Sequence, residues 1–361
     1  MISISRRVNP ICEAMQYYSN RVNGAPFEVR WNKCLSSCKT VTEEALAISR
    51  KIAALEHKLD ALPFPEDKAE FYFKALEGSD DAASIPVSRA LMLLQVSAYT
   101  DYEKILSSGL SRRGEGERRH DVLLSLTCGG TEFEQDALEY PIFLKALLGL
   151  GLRQETKLAA LDVLLNFDTY TEELLELMRP AMEIIDVCAD DFKAEIEALT
   201  SVFETASGPA EVYHKLYRID ISGLGAVNMF PGLLAFGSTA LVSIDGDAGE
   251  YGAMLGIMTA ILISLVHHTD APDGVPEILK LISDKSRLEI LESLCVKSSY
   301  GQELAGKLGL TTATVYHHLS RLQVAGLISV ETSSARSYYK VNGDTLSKFI
   351  KGLEKRLHIE E

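Results

Sequence analysis

The sequence predicts a mainly α-helical protein: a helical N-terminal domain with a small β-sheet attached, and a C-terminal domain of short helices with a two-stranded hairpin. Leu and Ala recur at intervals of three and four residues through most of 41–203, which is typical of amphipathic helices. Gly, Pro and β-branched residues replace them in Ile219–Ile244, as in strands and turns. The turn-rich string DAPDG at 270–274 then precedes a last segment with its own helical pattern.

Composition and length are those of an ordinary globular protein, with 47% hydrophobic and 24% charged residues among 361. We expect a domain at 1–269, a linker at 270–274 and a second domain at 275–361. The start, MISISRRVNP, lacks the apolar run of a signal peptide. The uncharged stretch Tyr251–Leu265 is too short and too rich in glycine for a membrane span, so we expect buried core. Six scattered cysteines suit a reducing cytoplasm. We therefore expect a cytoplasmic protein that has no membrane partner.

The negative charge is unevenly distributed. The formal net charge is −15, yet residues 275–361 carry 12 Lys+Arg and 10 Asp+Glu, and the remainder carries 24 and 41. The two parts therefore contribute +2 and −17. Because phosphates repel acidic surfaces, only the last segment suits a polyanionic partner, and the acidic part should point away from it.

Several N-terminal elements can be predicted in detail. A helix is expected over Val41–Leu62, strands over Ile2–Arg6 and Thr239–Ile244, and a charged, solvated turn at 112–120, whose sequence is RRGEGERRH. Cys34 and Cys38 are four residues apart and would share a helix face. They are either ordinary half-buried residues or half of a metal or redox site, which would need three or four ligands.

The C-terminal segment begins with three short helices. Pro276 can begin the first helix, Asp284 can cap the second, and Ser299 with Gln302 has capping-box spacing at the start of the third. Gly309 can supply the sharp bend that joins the third helix to the fourth. The second helix is expected to face inward with Leu288, Ile290, Leu291 and Leu294.

The fourth helix, Thr312–Ala325, has two distinct faces. Val315, Leu319 and Leu322 follow helical spacing and should face the core. The outer face contains no acid, and its polar positions are Thr312, Thr314, Tyr316, His317, Ser320 and Arg321. A neutral or positive face suits a DNA major groove bordered by phosphates, whereas a merely solvated face usually contains Asp or Glu. This pattern predicts a recognition helix.

A hairpin and a last helix complete the segment. Leu327–Glu331 and Ser337–Val341 predict two strands, with Arg336 at a polar tip suited to a DNA backbone or minor-groove contact. Asp344 can cap the final helix. That helix carries an apolar stripe made of Leu346, Phe349, Ile350, Leu353 and Leu357. So small a domain has too little core to cover this stripe. The stripe therefore predicts a homodimer, in which two recognition helices would contact two half-sites.

Three strings in order resemble the ArsR/SmtB family of bacterial winged-helix repressors. They are ISDKSRLEILESL at 282–294, QELAGKLGLTTATVYHHLSRLQVAGLI at 302–328 and SSARSYYKV at 333–341. The resemblance implies a C-terminal winged helix-turn-helix with a two-stranded wing, in homodimers that bind double-stranded operator DNA and change their grip when an effector arrives. By position it implies groove-facing roles for Thr312, Thr314, Tyr316, His317 and Arg321, and a wing contact by Arg336.

The metal sites of the family are missing from this sequence. Metal-sensing relatives carry Cys-x-Cys in the helix before the recognition helix, where residues 303–307 read ELAGK. On the final helix, Asp344 and His358 lack ligand spacing, and Cys295 is expected in the core. His317 and His318 are adjacent and would point about 100° apart on a helix, and such a pair seldom shares a metal ion. Because position 317 faces outward, we expect His318 to lie within the domain. No metal and no other cofactor is expected.

The long N-terminal domain is the part of the chain in which we expect an effector to be sensed. It can enclose a pocket for a small-molecule, non-metal effector, with Gly223–Gly237 as a wall. The sequence therefore predicts a dimeric repressor whose operator binding responds to that domain. One alternative is a protein-interaction module whose acidic domain docks a partner protein. Another is an enzyme fused to a DNA-binding domain, but GxSxG, P-loop, HExxH and GxGxxG motifs are absent, so no enzyme is expected.

Overall fold

Helices make up most of the N-terminal part in the computed structural model. The described residues are 1–35, 41–76, 87–98, 114–126, 138–204, 208–217, 219–237, 239–245, 249–259, 261, 275–310, 312–333 and 336–359. The N-terminal helices are α1 Pro10–Val22, α2 Phe27–Leu35, α3 Glu43–Asp60, α4 Glu66–Phe73, α5 Arg89–Ala98, α6 Glu115–Leu126, α7 Tyr140–Gly149, α8 Gln154–Leu165, α9 Phe167–Cys188, α10 Lys193–Glu204 and α11 Pro209–Tyr217, with a 3-10 turn at Ala189–Phe192.

Helix α1 lies at the centre of the N-terminal core, and every residue from Pro10 to Asn20 is buried. The side chain of Asn9 caps it by accepting from the backbone N–H groups of Ile11 and Cys12. The Tyr18 hydroxyl donates to the carbonyl of Leu177 on α9 at 2.9 Å. A helix buried on all sides must pair its polar groups within the protein. The bond from Tyr18 to Leu177 fixes how α1 packs against α9.

A four-stranded sheet is attached to this helical core, as the sequence predicted. Its strands are β1 Ile2–Ile4, β3 Ala226–Gly232, β4 Thr239–Asp245 and β5 Glu250–Gly256. Their order is β1-β3-β5-β4, with β1, β3 and β5 parallel and β4 antiparallel to β5. One face of the sheet packs on α10 and α11, and the other packs on the large helical core. The strand predicted at Thr239–Ile244 is confirmed, and that at Ile2–Arg6 is shorter than expected.

The C-terminal part is a winged helix-turn-helix, which confirms the predicted fold class. Its elements are α12 Val275–Ile282, α13 Lys285–Val296, β6 Ser299–Tyr300, α14 Gly301–Leu308, α15 Thr312–Val324, β7 Ile328–Ser333, β8 Arg336–Val341 and α16 Gly343–Leu357. A two-residue strand, β2 Ile219–Asp220, joins its sheet in the order β2-β7-β8-β6. The predicted linker 270–274 lies outside the described residues.

The stretch expected to be buried core is buried from Tyr251 to Thr259, and Ile261 is half-buried against the same core. Across the described ranges, no helix is long and apolar enough to cross a membrane.

The charged string at 112–120 is helical rather than a turn from Glu115 onward. Acidic residues in the first turn of a helix favour its N-terminus, and here Glu115 and Glu117 occupy that turn. Its arginines have partners: Arg118 forms two hydrogen bonds to Asp168, and Arg119 donates to the carbonyl of Leu138. Residues 112 and 113 lie outside the described part.

Two side chains of α13 were wrongly expected in the core. Leu288 is 43% exposed, and Cys295 is exposed with a free thiol. The buried face of α13 consists of Ile290, Leu291, Ser293 and Leu294. At 100° per residue, positions 288 and 295 lie more than a quarter turn from the centre of that face.

Two helix caps also differ from expectation. Tyr300 is the N-cap of α14 and its side chain makes no cap bond, because Ser299 is used in strand β6, where it pairs with Tyr339. Asn342, not Asp344, caps α16 and accepts from the N–H of Thr345, because the helix begins two residues earlier than expected.

A buried carboxylate joins α1 to the sheet. The two oxygens of Glu13 accept from the N–H groups of Leu233 and Leu234 at 2.6 and 2.7 Å, directly after β3. Arg30 donates to the carbonyl of Leu234 at 2.8 Å. Burial raises the pKa of Glu13 to about 7, against the lowering effect of the two N–H groups and Arg30. The same loop holds Phe236 at a φ of 61°, a strained angle for an aromatic residue, with its ring edge-on to Phe27.

We expect Glu13 to make stability depend on pH. Its folded pKa lies above the unfolded value, so its contribution is complete below pH 4.5 and is lost as pH rises through about 7. Between pH 6 and 8.5 this loss is on the order of 1 kcal/mol of unfolding free energy. Urea unfolding, followed by the fluorescence of the single tryptophan Trp31, measures it. The slope should become shallower in Glu13→Gln and stay like the parent's in Glu354→Gln, an exposed control. An unchanged slope in Glu13→Gln would contradict this assignment.

Candidate nucleic-acid interface

The helix-turn-helix is formed by α14 and α15 with a tight turn between them. Gly309 ends α14 in the left-handed conformation at a φ of 66°, where a glycine avoids the strain of a Cβ, and this confirms its predicted role. On α15 the side chains of Val315, Leu319 and Leu322 are fully buried, as predicted. They pack in one cluster with the buried residues of α13 and α14.

The opposite face of α15 holds the predicted groove-facing positions. Arg321 is exposed there, and Thr314 is half-buried. The backbone of α15 is described, but the side chains of Thr312, His317 and Ser320 lie outside the described part. His318 is buried in the domain as expected. It is near the cap Asp284, whose pKa is lowered mainly by the N–H of Arg287 and to a smaller degree by His318.

Tyr316 is held more closely by the protein than the sequence suggested. Its half-buried ring meets the ring of Tyr339 on β8 at a centroid distance of 6.4 Å. A Cβ added to Gly301 would lie 2.7 Å from its Cζ. Tyr316 thus joins the recognition helix to α14 and to the wing, and its place among the DNA contacts stays a prediction. Gly301 at the start of α14 is the signal that could have shown this.

The wing is a regular antiparallel hairpin. Ser333 pairs with Arg336, so the paired strands extend further than predicted and only residues 334 and 335 lie between them. The side chain of Arg336 and the two tip residues lie outside the described part. Nearer the base, the Lys340 ammonium is 2.9 Å from the Glu331 carboxylate.

The N-terminal part contacts both α15 and the β7–β8 hairpin, which the sequence did not reveal. Strand β2 pairs in parallel with β7, matching Ile219 with Val330 and Asp220 with Glu331. The side-chain amide of Gln323, near the end of α15, donates to the carbonyl of Tyr217 at 2.9 Å. An open sheet edge invites pairing with other chains, and β2 covers the edge of β7.

The apolar stripe of α16 is divided between the core and the surface. Phe349 is buried, and Leu346 and Leu353 are half-buried. Ile350 and Leu357 are 47% and 58% exposed. The helix packs on α12, because a Cβ added to Gly352 of α16 would lie 3.0 Å from the Val275 side chain of α12.

Among the described residues, no group of three or more His, Cys, Asp or Glu side chains is arranged to hold a metal ion. Cys38 and the side chain of Cys34 lie outside that part of the chain.

These features define a winged helix-turn-helix, and comparison with known families agrees. Residues 284–330 match the family described as bacterial regulatory protein, arsR family. The match begins at the cap of α13 and ends within β7, so it includes the whole helix-turn-helix. The C-terminal region is therefore an ArsR-family helix-turn-helix domain, the DNA-binding unit of a transcription regulator. No curated protein and no solved structure matches the chain.

We expect the contact between Gly301 and Tyr316 to limit substitution in α14. Gly301→Ala forces a methyl group against the Tyr316 ring and should destabilise the domain by about 1–3 kcal/mol. Gly306→Ala on the same helix meets nothing within 4 Å and should stabilise it by up to about 1 kcal/mol. Hydrogen exchange of the amides in 301–324 measures both changes. Equal effects of the two substitutions would contradict the packing described.

Proposed function

We propose that this protein is a dimeric ArsR-like repressor in the cytoplasm, whose operator binding is modulated through its N-terminal domain by a small non-metal effector. The observation that carries the proposal is that the family match coincides with a folded helix-turn-helix. The burial of Val315, Leu319 and Leu322 leaves the acid-free side of α15 for the major groove.

Base and backbone contacts divide between helix and wing. We assign groove contacts to Thr312, Thr314, Tyr316, His317, Ser320 and Arg321, and a backbone or minor-groove contact to Arg336. Arg321 is supported by its exposure on a helix whose first turn holds no acid. Arginine reads guanine with two hydrogen bonds or pairs with phosphate, so either contact suits this position.

Dimerisation is supported by the exposed part of the α16 stripe. Ile350 and Leu357 leave apolar surface open on α16, and Leu279 of α12 is also exposed. A twofold dimer through this surface would present two α15 helices to two half-sites. Leu346 and Leu353 would lie at its border, and Phe349 would support it from within the domain.

Modulation by the N-terminal domain is supported by its two attachments. The β2–β7 pairing involves the wing, and the Gln323–Tyr217 bond involves the recognition helix. A ligand that favours one arrangement of these attachments would shift the position of both DNA-reading elements.

We expect Arg321→Ala to weaken specific DNA binding by about 1–3 kcal/mol. His317→Ala should also weaken specific DNA binding, and both variants should keep the fold. Fluorescence anisotropy with the duplex from upstream of the gene, a scrambled duplex and a salt series measures this. Lys193→Ala, which removes the same charge from an exposed position of α10, is the control and should bind like the parent.

Parent-like binding by both α15 variants would contradict our assignment of the recognition face. A different result would favour the alternative function of an interaction module. In that case the chain shows no preference for the upstream duplex and instead forms a stable complex with a second protein. The exposed apolar side chains Tyr140, Ile142 and Leu148 on α7 are the observation that supports that alternative.

We expect Ile350→Gln to weaken the dimer by about tenfold or more, because it removes an apolar side chain from the twofold contact. Lys351→Gln, on the next position of the same helix, should leave the dimer unchanged. Sedimentation velocity over a range of concentrations measures both. A chain that stays monomeric throughout, or two variants that match the parent, would rule out this interface.

A further inference from the structure

We propose that Cys188 and Lys58 form a peroxide-dependent covalent link that joins the end of α9 to α3. Cys188 is the last residue of α9, and its thiol is free. The Lys58 ammonium donates a hydrogen bond to the Cys188 Sγ atom at 3.2 Å. Because the lysine side chain is long and flexible, its rotation is enough to close the remaining distance without movement of either helix.

Lys58 is held at this sulfur by two partners. Its ammonium is also 3.7 Å from the Asp191 carboxylate, in the 3-10 turn that follows α9. The hydrogen bond to the Cys188 sulfur is the largest cause that raises the pKa of Lys58, and Asp191 adds to it. Lys51, two turns earlier on α3, donates instead to Glu195 and to the carbonyl of Asp191. Lys58, and not Lys51, is therefore the amine placed at the thiol.

The sulfur can be reached from solvent through Lys58. Cys188 is only 5% exposed, whereas the side chain of Lys58 is 53% exposed. Since the exposed ammonium contacts Sγ, movement of this flexible side chain opens the sulfur to a molecule as small as hydrogen peroxide. Cys12 provides the contrast, because it is 1% exposed and burial raises the pKa of its thiol. A thiol in such an apolar interior is inert toward oxidants.

The first step oxidises the sulfur. The thiolate form of Cys188 attacks one oxygen of hydrogen peroxide, so that an S–O bond forms and the O–O bond breaks. The Lys58 ammonium stabilises the negative charge on the attacking sulfur. The leaving hydroxide takes a proton from that ammonium and becomes water. The products are a sulfenic acid on Cys188 and a neutral amine on Lys58, and the peroxide has accepted the two electrons that sulfur lost.

The second step joins the two side chains. The nitrogen lone pair of Lys58 attacks the sulfur of the sulfenic acid, so that an N–S bond forms and the S–O bond breaks. The departing hydroxide takes one proton from the nitrogen, which releases water and leaves a sulfenamide between Nζ and Sγ. Sulfenic acids condense in this way with backbone nitrogen, and an amine is a stronger nucleophile than an amide. An excess of a thiol such as dithiothreitol reduces the N–S bond and restores both side chains.

The link would restrain the N-terminal core. It would close a loop between two positions that are 130 residues apart in the sequence. Such a closure restricts the unfolded chain more than the folded one, so oxidation should raise the resistance of the protein to urea. A consequence for operator DNA would rest on the proposed function, whereas the link itself does not.

Peptide mass spectrometry of the folded full chain after treatment with hydrogen peroxide tests the proposal. We expect a peptide pair that joins Lys58 to Cys188, is lighter than the two free peptides by two hydrogen atoms, and is separated by dithiothreitol. Lys58→Arg keeps the positive charge but removes the amine, so the pair should be lost. Lys51→Arg, the matched control on the same face of α3, should form the pair like the parent. Peroxide should raise the urea midpoint of the parent and of Lys51→Arg but not that of Lys58→Arg.

The proposal is overturned if the parent forms no such pair at a peroxide concentration that oxidises the exposed thiol of Cys295. A pair that persists in Lys58→Arg, that is missing in Lys51→Arg, or that retains an oxygen atom between nitrogen and sulfur would also overturn it. Equal yield from the urea-unfolded chain would do the same, since the link depends on contact in the fold. Circular dichroism verifies that each variant is folded before treatment. Since no DNA is present, this result is independent of the test of operator binding.

Discussion

The burial of three side chains on α15 is the constraint on which the C-terminal structure depends. Val315, Leu319 and Leu322 have no exposed surface, and they fix the rotation of the helix about its own axis. Burying each such side chain contributes on the order of 1.5–3 kcal/mol, so a rotation that exposed them would be costly. The polar face is therefore turned outward by packing, and the sharp turn at Gly309 brings α14 across behind it.

The N-terminal part reaches this module through short, directional contacts. Its own core is organised around α1, and Glu13 connects that helix to the loop after β3 through two backbone N–H groups. From the region of α11, the chain then adds β2 to the edge of β7 and offers the Tyr217 carbonyl to Gln323. Because these described contacts lie at the edge of β7 and near the end of α15, a change at the junction can alter the wing without unfolding either core.

Local patterns could be read from the sequence, and contacts between distant residues could not. Helical spacing predicted the core of α15, and the side chain of Asp284 caps α13 as expected. A two-residue strand such as β2 has no periodicity to detect, and the partners of Glu13 lie 220 residues away. The exposure of Cys295 and the inward packing of Tyr316 depend on which neighbouring elements cover them, which propensity and spacing do not specify.

Hydrogen–deuterium exchange of the full chain, with and without its upstream duplex, tests most directly where DNA binds. Exchange should become slower in α15 and in the β7–β8 hairpin when the duplex is added, while helices α3 to α10 keep their rates. Protection confined to those N-terminal helices, with α15 unchanged in the presence of bound duplex, would mean that the winged helix does not read DNA.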